Sequence, residues 1–167
     1  LAKVHLSEKF RSLNSFSGIK NYPLPAGFRG ELRPYQKAGY NWLKFLNEYK
    51  LGGCLADDMG LGKTVQALTL MQSEKEAGAG TTLLIMPTSL IYNWEMEANK
   101  FAPELKILNY TGTLRNKDVK RFEKYDLVLT SYGITRLDVD LLRQFYFNYI
   151  ILDESQVIKN PTSNIAK

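Results

Sequence analysis

Gly53-Cys54-Leu55-Ala56-Asp57-Asp58-Met59-Gly60-Leu61-Gly62-Lys63-Thr64 is the stretch on which the reading of this chain turns. It opens on a short apolar run that reads as a buried strand. It bends through Gly60 and Gly62, then passes at Lys63-Thr64 into a helical pattern beginning at Val65. Strand, glycine turn and helix N-terminus in that order are the layout of a phosphate-binding loop. Glycines let backbone N–H groups close on phosphate oxygens, and the positive end of the following helix favours negative charge. Asp58, Met59, Gly60, Leu61 and Gly62 are therefore the candidate cradle. Lys63 would reach the β- and γ-phosphates, and the Thr64 hydroxyl would ligate Mg²⁺. Asp57 stands where the strict spacing has glycine, five residues before Gly62. The competing reading is an ordinary glycine-rich turn.

Outward from the loop, apolar strands alternate with helical segments. Leu32, Tyr35, Gly39, Trp42, Leu43, Phe45 and Leu46 make a helical stripe over 32–49, with Pro34 where a first turn tolerates it. After the loop helix, Thr82–Met86 reads as a buried strand ended by Pro87. A helix over Ser89–Phe101 with Leu90, Ile91, Trp94 and Phe101 inward comes next. Ile107-Leu108 follows as a short strand, and then the loop Thr111-Gly112-Thr113. A basic helix is expected around Asn116–Tyr125, a strand over Asp126–Thr130, a helix near Leu137–Gln144 and a strand ending at Asp153. This alternation predicts an α/β fold, a parallel sheet with helices on both faces. Ligands of such sheets sit beyond the carboxyl ends of the strands. Residues 1–30, apart from a short helix around Ser7–Leu13, read as a lead-in or linker. Residues 31–167 read as the nucleotide-binding unit.

Composition narrows the class. The chain has 167 residues, 44% hydrophobic and 23% charged, which are ordinary globular values. No signal peptide and no run of 18 apolar residues is present, so no membrane partner is expected. The lone Cys54 excludes an internal disulfide and fits a reducing, intracellular compartment: cytoplasm or nucleoid in a prokaryote, nucleus in a eukaryote. Its place before the loop suggests a small buried hydrophobe. His5 is the only histidine, so a zinc site is not expected. The net charge of +5 is uneven: residues 1–50 carry nine Lys/Arg against three Glu, and residues 105–125 hold six basic and two acidic side chains. Such asymmetry suits a polyanion such as nucleic acid, and suits solvated helix faces equally well.

Asp153-Glu154, after the apolar Tyr149–Leu152, supplies the other half of a nucleotide site. An aspartate at a buried strand tip can hold Mg²⁺ through water opposite Thr64. A glutamate beside it can orient and deprotonate the water attacking a γ-phosphate. Lys63, Asp153 and Glu154 are thus the candidate catalytic residues, with ATP and Mg²⁺ as cofactors.

Six ordered motifs carry a resemblance: Leu32-Arg-Pro-Tyr-Gln36, Ala56–Thr64, Pro87-Thr-Ser-Leu90, Trp94, Leu129-Thr-Ser-Tyr-Gly133 and Asp153-Glu-Ser-Gln-Val-Ile-Lys-Asn160. Over about residues 30–165 the chain resembles the Swi/Snf-type ATPases of helicase superfamily two. The resemblance implies a RecA-like lobe of P-loop NTPase type, the first of two, in an enzyme that uses ATP to translocate on double-stranded DNA. Asp57 is usual in that family. Gln36 matches its adenine-reading glutamine, with Arg33 beside it, since an amide both donates and accepts. Pro87, Thr88, Ser89, Thr130 and Ser131 match positions along the DNA path, where small hydroxyls and N–H groups bond phosphate. Capping by Ser89 and a plain strand end at Ser131 are the alternatives. Trp42 and Trp94 are expected in the core. Gln156 replaces the family's common histidine and keeps a hydrogen-bonding side chain. The sequence reads as a piece of a longer chain whose second RecA-like lobe completes the ATP site, so this piece alone is expected to turn over hardly at all. An RNA or single-strand helicase of the same superfamily and a non-motor nucleotide-binding scaffold are the other readings.

Overall fold

The run Thr82–Met86 forms β1, and all five of its residues are buried. A strand covered on both faces needs partners at both edges and helices above and below it. The computed structural model, which describes residues 18–55 and 62–155, has both. β1 pairs in parallel with β3 (Leu127–Ser131) on one side and with β4 (Tyr149–Leu152) on the other. β2 (Ile107–Asn109) lies outside β3, giving the order β2-β3-β1-β4. Leu84 stands between Leu129 and Ile151, and Met86 is level with Ser131.

The two-residue period of β1 sends its side chains to opposite cores. Leu84 and Met86 pack with Leu68 and Met71 of α2 (Lys63–Glu76) and with Ile91, Trp94 and Ala98 of α3 (Ile91–Phe101). Leu83 and Ile85 pack with Tyr110, Phe122, Tyr132 and Leu142. That second layer is short: a 3₁₀ helix over Val119–Lys124, then α4 (Tyr132–Leu137) and α5 (Val139–Leu142). The three-layer α/β/α sheet is the expected one. No helix among the described residues is long and apolar enough to cross a membrane.

Outside the sheet, α1 (Pro34–Glu48) packs on α2. Tyr40 is its one fully buried residue, although the stripe had pointed to Tyr35 and Trp42; Tyr35 is exposed. The contact is close at Gly39, where a Cβ would collide with Oε1 of the fully buried Gln66. Residues 18–30 lie irregularly over these helices. The N–H groups of Ala26 and Gly27 donate to the Glu76 carboxylate at 3.0 and 2.7 Å. Phe28 stacks on Phe101, and the Tyr40 hydroxyl donates to the Pro23 carbonyl. The helix expected at Ser7–Leu13 lies outside the described residues.

Three expectations need correction. Gly53–Leu55 is not a strand, and Cys54 is exposed rather than buried. A strand exists by hydrogen-bonding to a neighbour. These residues instead lie across a cavity from β4, whose outer edge is unpaired among the described residues, with Ile150 62% exposed. The basic segment forms a 3₁₀ helix, not an α-helix. Three residues per turn put Val119 and Phe122 on one side. Phe122 there meets Tyr110 and Phe145 edge-on, 5.2 and 5.5 Å between centroids. The helix expected over Leu137–Gln144 begins earlier, at Tyr132, and breaks at Asp138. Asp138 is turned inward by Arg115, whose Nε and Nη2 donate to its carboxylate at 2.6 and 2.8 Å.

Candidate functional site

All four strands run the same way, so Pro87, Ser131 and Asp153, each just past or at a strand end, fall along one edge of the sheet. The loop helix arrives at that edge. Its cap, Gly62, has φ +77°, a left-handed conformation that glycine adopts without strain. A Cβ there would also collide with Nε2 of Gln36. Two constraints thus select glycine at the place where α2 begins. Lys63 and Thr64 form the first turn of α2, whose leading N–H groups have no intrahelical acceptors.

Lys63, Asp153 and Glu154 line one cavity of about 650 Å³, whose walls include Leu46, Leu70 and Trp94. Asp153 is held by four hydrogen bonds. Its backbone N–H extends the sheet by donating to the Ile85 carbonyl at 2.9 Å. Its Oδ2 accepts from the Trp94 indole at 2.8 Å, and its Oδ1 accepts from the Glu154 N–H at 2.9 Å. Its carbonyl accepts from the Tyr132 hydroxyl at 2.8 Å. Burial, and after it the negative charges of Asp153 and Glu154, push the Tyr132 hydroxyl up to about 12, so it stays a donor at neutral pH. Glu154 itself has φ +52°, a left-handed backbone that costs a non-glycine residue about 1–2 kcal/mol. Such strain is commonest at functional sites.

The donor set fits a magnesium nucleotide. Gly62 and Lys63 are suited to anionic oxygens, and one or two carboxylates are what Mg²⁺ takes when phosphates and water supply the rest. Among the described residues no group of three or more His, Cys, Asp or Glu could hold a metal by itself. Thr64 follows Lys63 but does not line the cavity. Asp58, Met59, Gly60, Leu61 and Gln156 lie outside the described residues.

Gln36 sits on the first turn of α1, half-buried, with Oε1 accepting the Arg33 N–H at 2.9 Å and its amide nitrogen against Gly62. The side chain therefore both caps its helix and touches the loop. Arg33 is exposed.

The five residues expected on a DNA path divide. Thr88 and Ser89 are exposed in the 3₁₀ turn that leads into α3, after the half-buried Pro87. Ser131 is 6% exposed and caps α4, its Oγ accepting from the Ile134 N–H at 3.2 Å. Thr130 is fully buried, and its hydroxyl donates to the Tyr110 carbonyl at 2.9 Å. On a strand covered by both layers a hydroxyl needs such a partner, so its side chain faces the interior. The sequence reading missed Trp94 and Tyr132 as neighbours of the acidic pair. A buried indole N–H demands an acceptor, which was a signal, but the acceptor lies 59 residues away.

The family pattern described as the SNF2-related domain matches residues 35–167. The Bacillus subtilis protein YwqA is 43% identical over 160 residues, covering 93% of this chain and 17% of its own. The TATA-binding protein-associated factor MOT1 of Saccharomyces cerevisiae is 39% identical over 166 residues, covering 90% of this chain and 9% of its own. The SWI2/SNF2 ATPase core of Sulfolobus solfataricus, solved in complex with double-stranded DNA, superposes with a TM-score of 0.75 at 38% identity, covering 87% of this chain and 30% of that one.

Proposed function

Because the chain belongs to the SNF2-related domain family, we propose that it is the first RecA-like lobe of a Swi/Snf-type motor that hydrolyses ATP while translocating on double-stranded DNA. The observation that carries the reading is the convergence of Lys63, Asp153 and Glu154 on one cavity beside the Gly62 cradle. In this reading Lys63 and the first-turn N–H groups of α2 hold the phosphates. Thr64 and Asp153 would hold Mg²⁺, which would supply neutralising charge to the phosphates. Gln36 reads the adenine edge from α1. Glu154 orients the attacking water and takes its proton; the left-handed backbone at that residue sets the direction of its side chain. A second lobe of the same polypeptide supplies the arginine that stabilises charge on the transferred phosphate, a contribution of about 10³–10⁵ in rate.

DNA as the partner is supported by the solved relative, whose core was captured on duplex, and by the exposed hydroxyls of Thr88 and Ser89 at the same sheet edge. The chain spans only 9–30% of the lengths of MOT1, YwqA and the solved core, so translocation is a property proposed for the whole polypeptide.

Nucleotide titration of Lys63→Ala tests the reading. A charge-assisted contact of about 1.5–3 kcal/mol is lost while the fold survives, because Lys63 is half-buried at the start of α2 and is not one of the residues of either core. Equal affinities for Mg·ATP in the two forms would remove Lys63 from the site. Unwinding of a tailed duplex by the full-length protein would point instead to a strand-separating helicase of the same superfamily.

A further inference from the structure

The helix that carries Gln36 has a slight grip of its own on the fold. α1 rests on α2, and Tyr40 is its one fully buried residue. A helix owes most of its stability in a protein to packing, so one buried side chain calls for further ties. Residues 20–29 supply them as a strap. The Tyr22 N–H donates to Asn41 Oδ1 of α1 at 3.0 Å, and the Tyr22 hydroxyl donates to Glu48 at its far end. The Ala26 and Gly27 N–H groups then reach Glu76, the last residue of α2, and the Arg29 N–H donates to the Phe101 carbonyl of α3 at 2.7 Å. The strap has little freedom to slide, because a Cβ at the buried Gly27 would collide with the fully buried Gln72.

Lys37 joins this strap to the turn that holds the proposed adenine reader. It directly follows Gln36, is half-buried, and does not line the cavity. An ammonium has three N–H groups to place. Three acceptors take them: Asn21 Oδ1 and Asn41 Oδ1, each at 2.8 Å, and the Tyr22 carbonyl. Two belong to the strap and one to α1, and all are neutral. Burial lowers the Lys37 pKa from the ordinary lysine value. A charge drawn from water toward neutral acceptors alone serves position rather than the capture of an anion. Tyr40 repeats the link one turn on. Its hydroxyl donates to the Pro23 carbonyl at 3.0 Å, and its ring centre lies 5.2 Å from the Lys37 ammonium. The aim of Gln36 follows this turn, because its Oε1 accepts the Arg33 N–H at 2.9 Å. Lys63 stands at the opposite end of α2 from the strap's contact at Glu76.

We propose that Lys37 and Tyr40 are positioning residues that bind residues 20–29 to the first two turns of α1 and so hold Gln36 in register with the adenine base. Discrimination between adenine and guanine then depends on the strap, while the grip on the phosphates does not. The two bases differ at one edge, where adenine offers an amino donor and guanine a carbonyl. The inference rests on the reading of Gln36 as the adenine reader.

The test uses the full-length protein, titrated in Mg²⁺ with ATP, GTP and inorganic tripolyphosphate. Lys37→Met keeps the apolar stem and removes the ammonium; Tyr40→Phe keeps the ring and removes the hydroxyl. Each is expected to lower the ratio of ATP to GTP affinity about 3- to 10-fold, the scale of one misaligned hydrogen bond. Tripolyphosphate affinity should stay within about twofold of the parent, because it has no base for α1 to meet. Both variants keeping the parental ratio overturns the inference. So does an equal loss of all three ligands, which would mark a role in folding alone. Gln36→Ala, measured alongside, separates the two levels. A parental ratio in that variant removes the adenine reader and the strap's role together. A collapsed ratio there, with the parental ratio kept in Lys37→Met and Tyr40→Phe, removes the strap's role alone.

Discussion

At the scale of single residues, neighbouring carboxylates with similar chemistry are given different work by their surroundings. Asp153 is anchored by the Trp94 indole, the Tyr132 hydroxyl and the Ile85 carbonyl. Glu154 carries a strained backbone on the wall of the cavity. Asp153→Asn should mainly reduce the Mg²⁺ dependence of nucleotide binding, while Glu154→Gln should leave binding nearly intact and stop hydrolysis in the complete enzyme. Single-turnover hydrolysis and titration with and without Mg²⁺ separate the two. A Glu154→Gln enzyme that turns over at the parental rate would show that another group activates the water. The sequence announced both acids through their place after an apolar run. It could not announce their anchors, because Trp94 and Tyr132 come from different helices, and the pairing exists only once β1, β3 and β4 lie side by side.

At the scale of elements, the proposed adenine reader Gln36 and the Gly62 end of the proposed phosphate loop sit on different helices, so their spacing depends on how α1 packs on α2. That packing passes through Gly39, where any Cβ would strike the Oε1 of Gln66. Gln66 is fully buried and has no open side into which to swing. Gly39→Ala should therefore destabilise the protein by about 1–3 kcal/mol, the usual cost of overpacking, even though alanine favours a helix interior by roughly 1 kcal/mol over glycine. The same shift moves Gln36 away from Gly62 and should weaken ATP more than GTP. Thermal unfolding and paired titrations with the two nucleotides check both effects. A higher melting temperature in Gly39→Ala would mean that α1 has room the present packing denies.

At the scale of the whole molecule, Asp138 ties the segment that carries Arg115 to Tyr110, just past the end of β2. Its carboxylate takes the Tyr110 hydroxyl at 2.8 Å as well as the Arg115 guanidinium, with the Lys117 ammonium 3.6 Å away. The guanidinium first, helped by the Tyr110 hydroxyl and the Lys117 charge, holds Asp138 down at about 2 against an ordinary 3.8, although burial opposes it. A depressed carboxylate contributes stability that is present above the unfolded value and is lost as pH falls through the folded one. Unfolding free energy should thus drop by about 2 kcal/mol between roughly pH 4 and pH 2 on account of this group. Asp138→Asn should remove that part of the acid limb and cost about 3 kcal/mol at pH 7, since Arg115 is left buried without its partner. Denaturant unfolding of both forms across pH 2–7 measures it. An Asp138→Asn protein with the parental acid limb would place the titration elsewhere.

The sequence by itself determined the alternation of strands and helices and the parallel sheet, and it supplied the candidates for the phosphate-binding and acidic residues. These depend on local pattern: apolar runs of three or four within 82–86, 127–131 and 149–152, glycines before Lys63, and two acids at a strand end. Periodicity and turn chemistry act between near neighbours, so they are written in the chain. The tertiary structure decided the rest. Cys54 is exposed and Gly53–Leu55 lies outside the sheet, with the cavity standing between it and the open edge of β4, so no ladder forms between them among the described residues. The 3₁₀ form of Val119–Lys124 follows from the aromatic pocket that receives Phe122. Thr130 faces inward while its neighbour Ser131 caps a helix, because one is claimed by the Tyr110 carbonyl and the other by the start of α4. Each of these outcomes depends on groups many positions apart, and packing alone brings such groups within hydrogen-bonding distance.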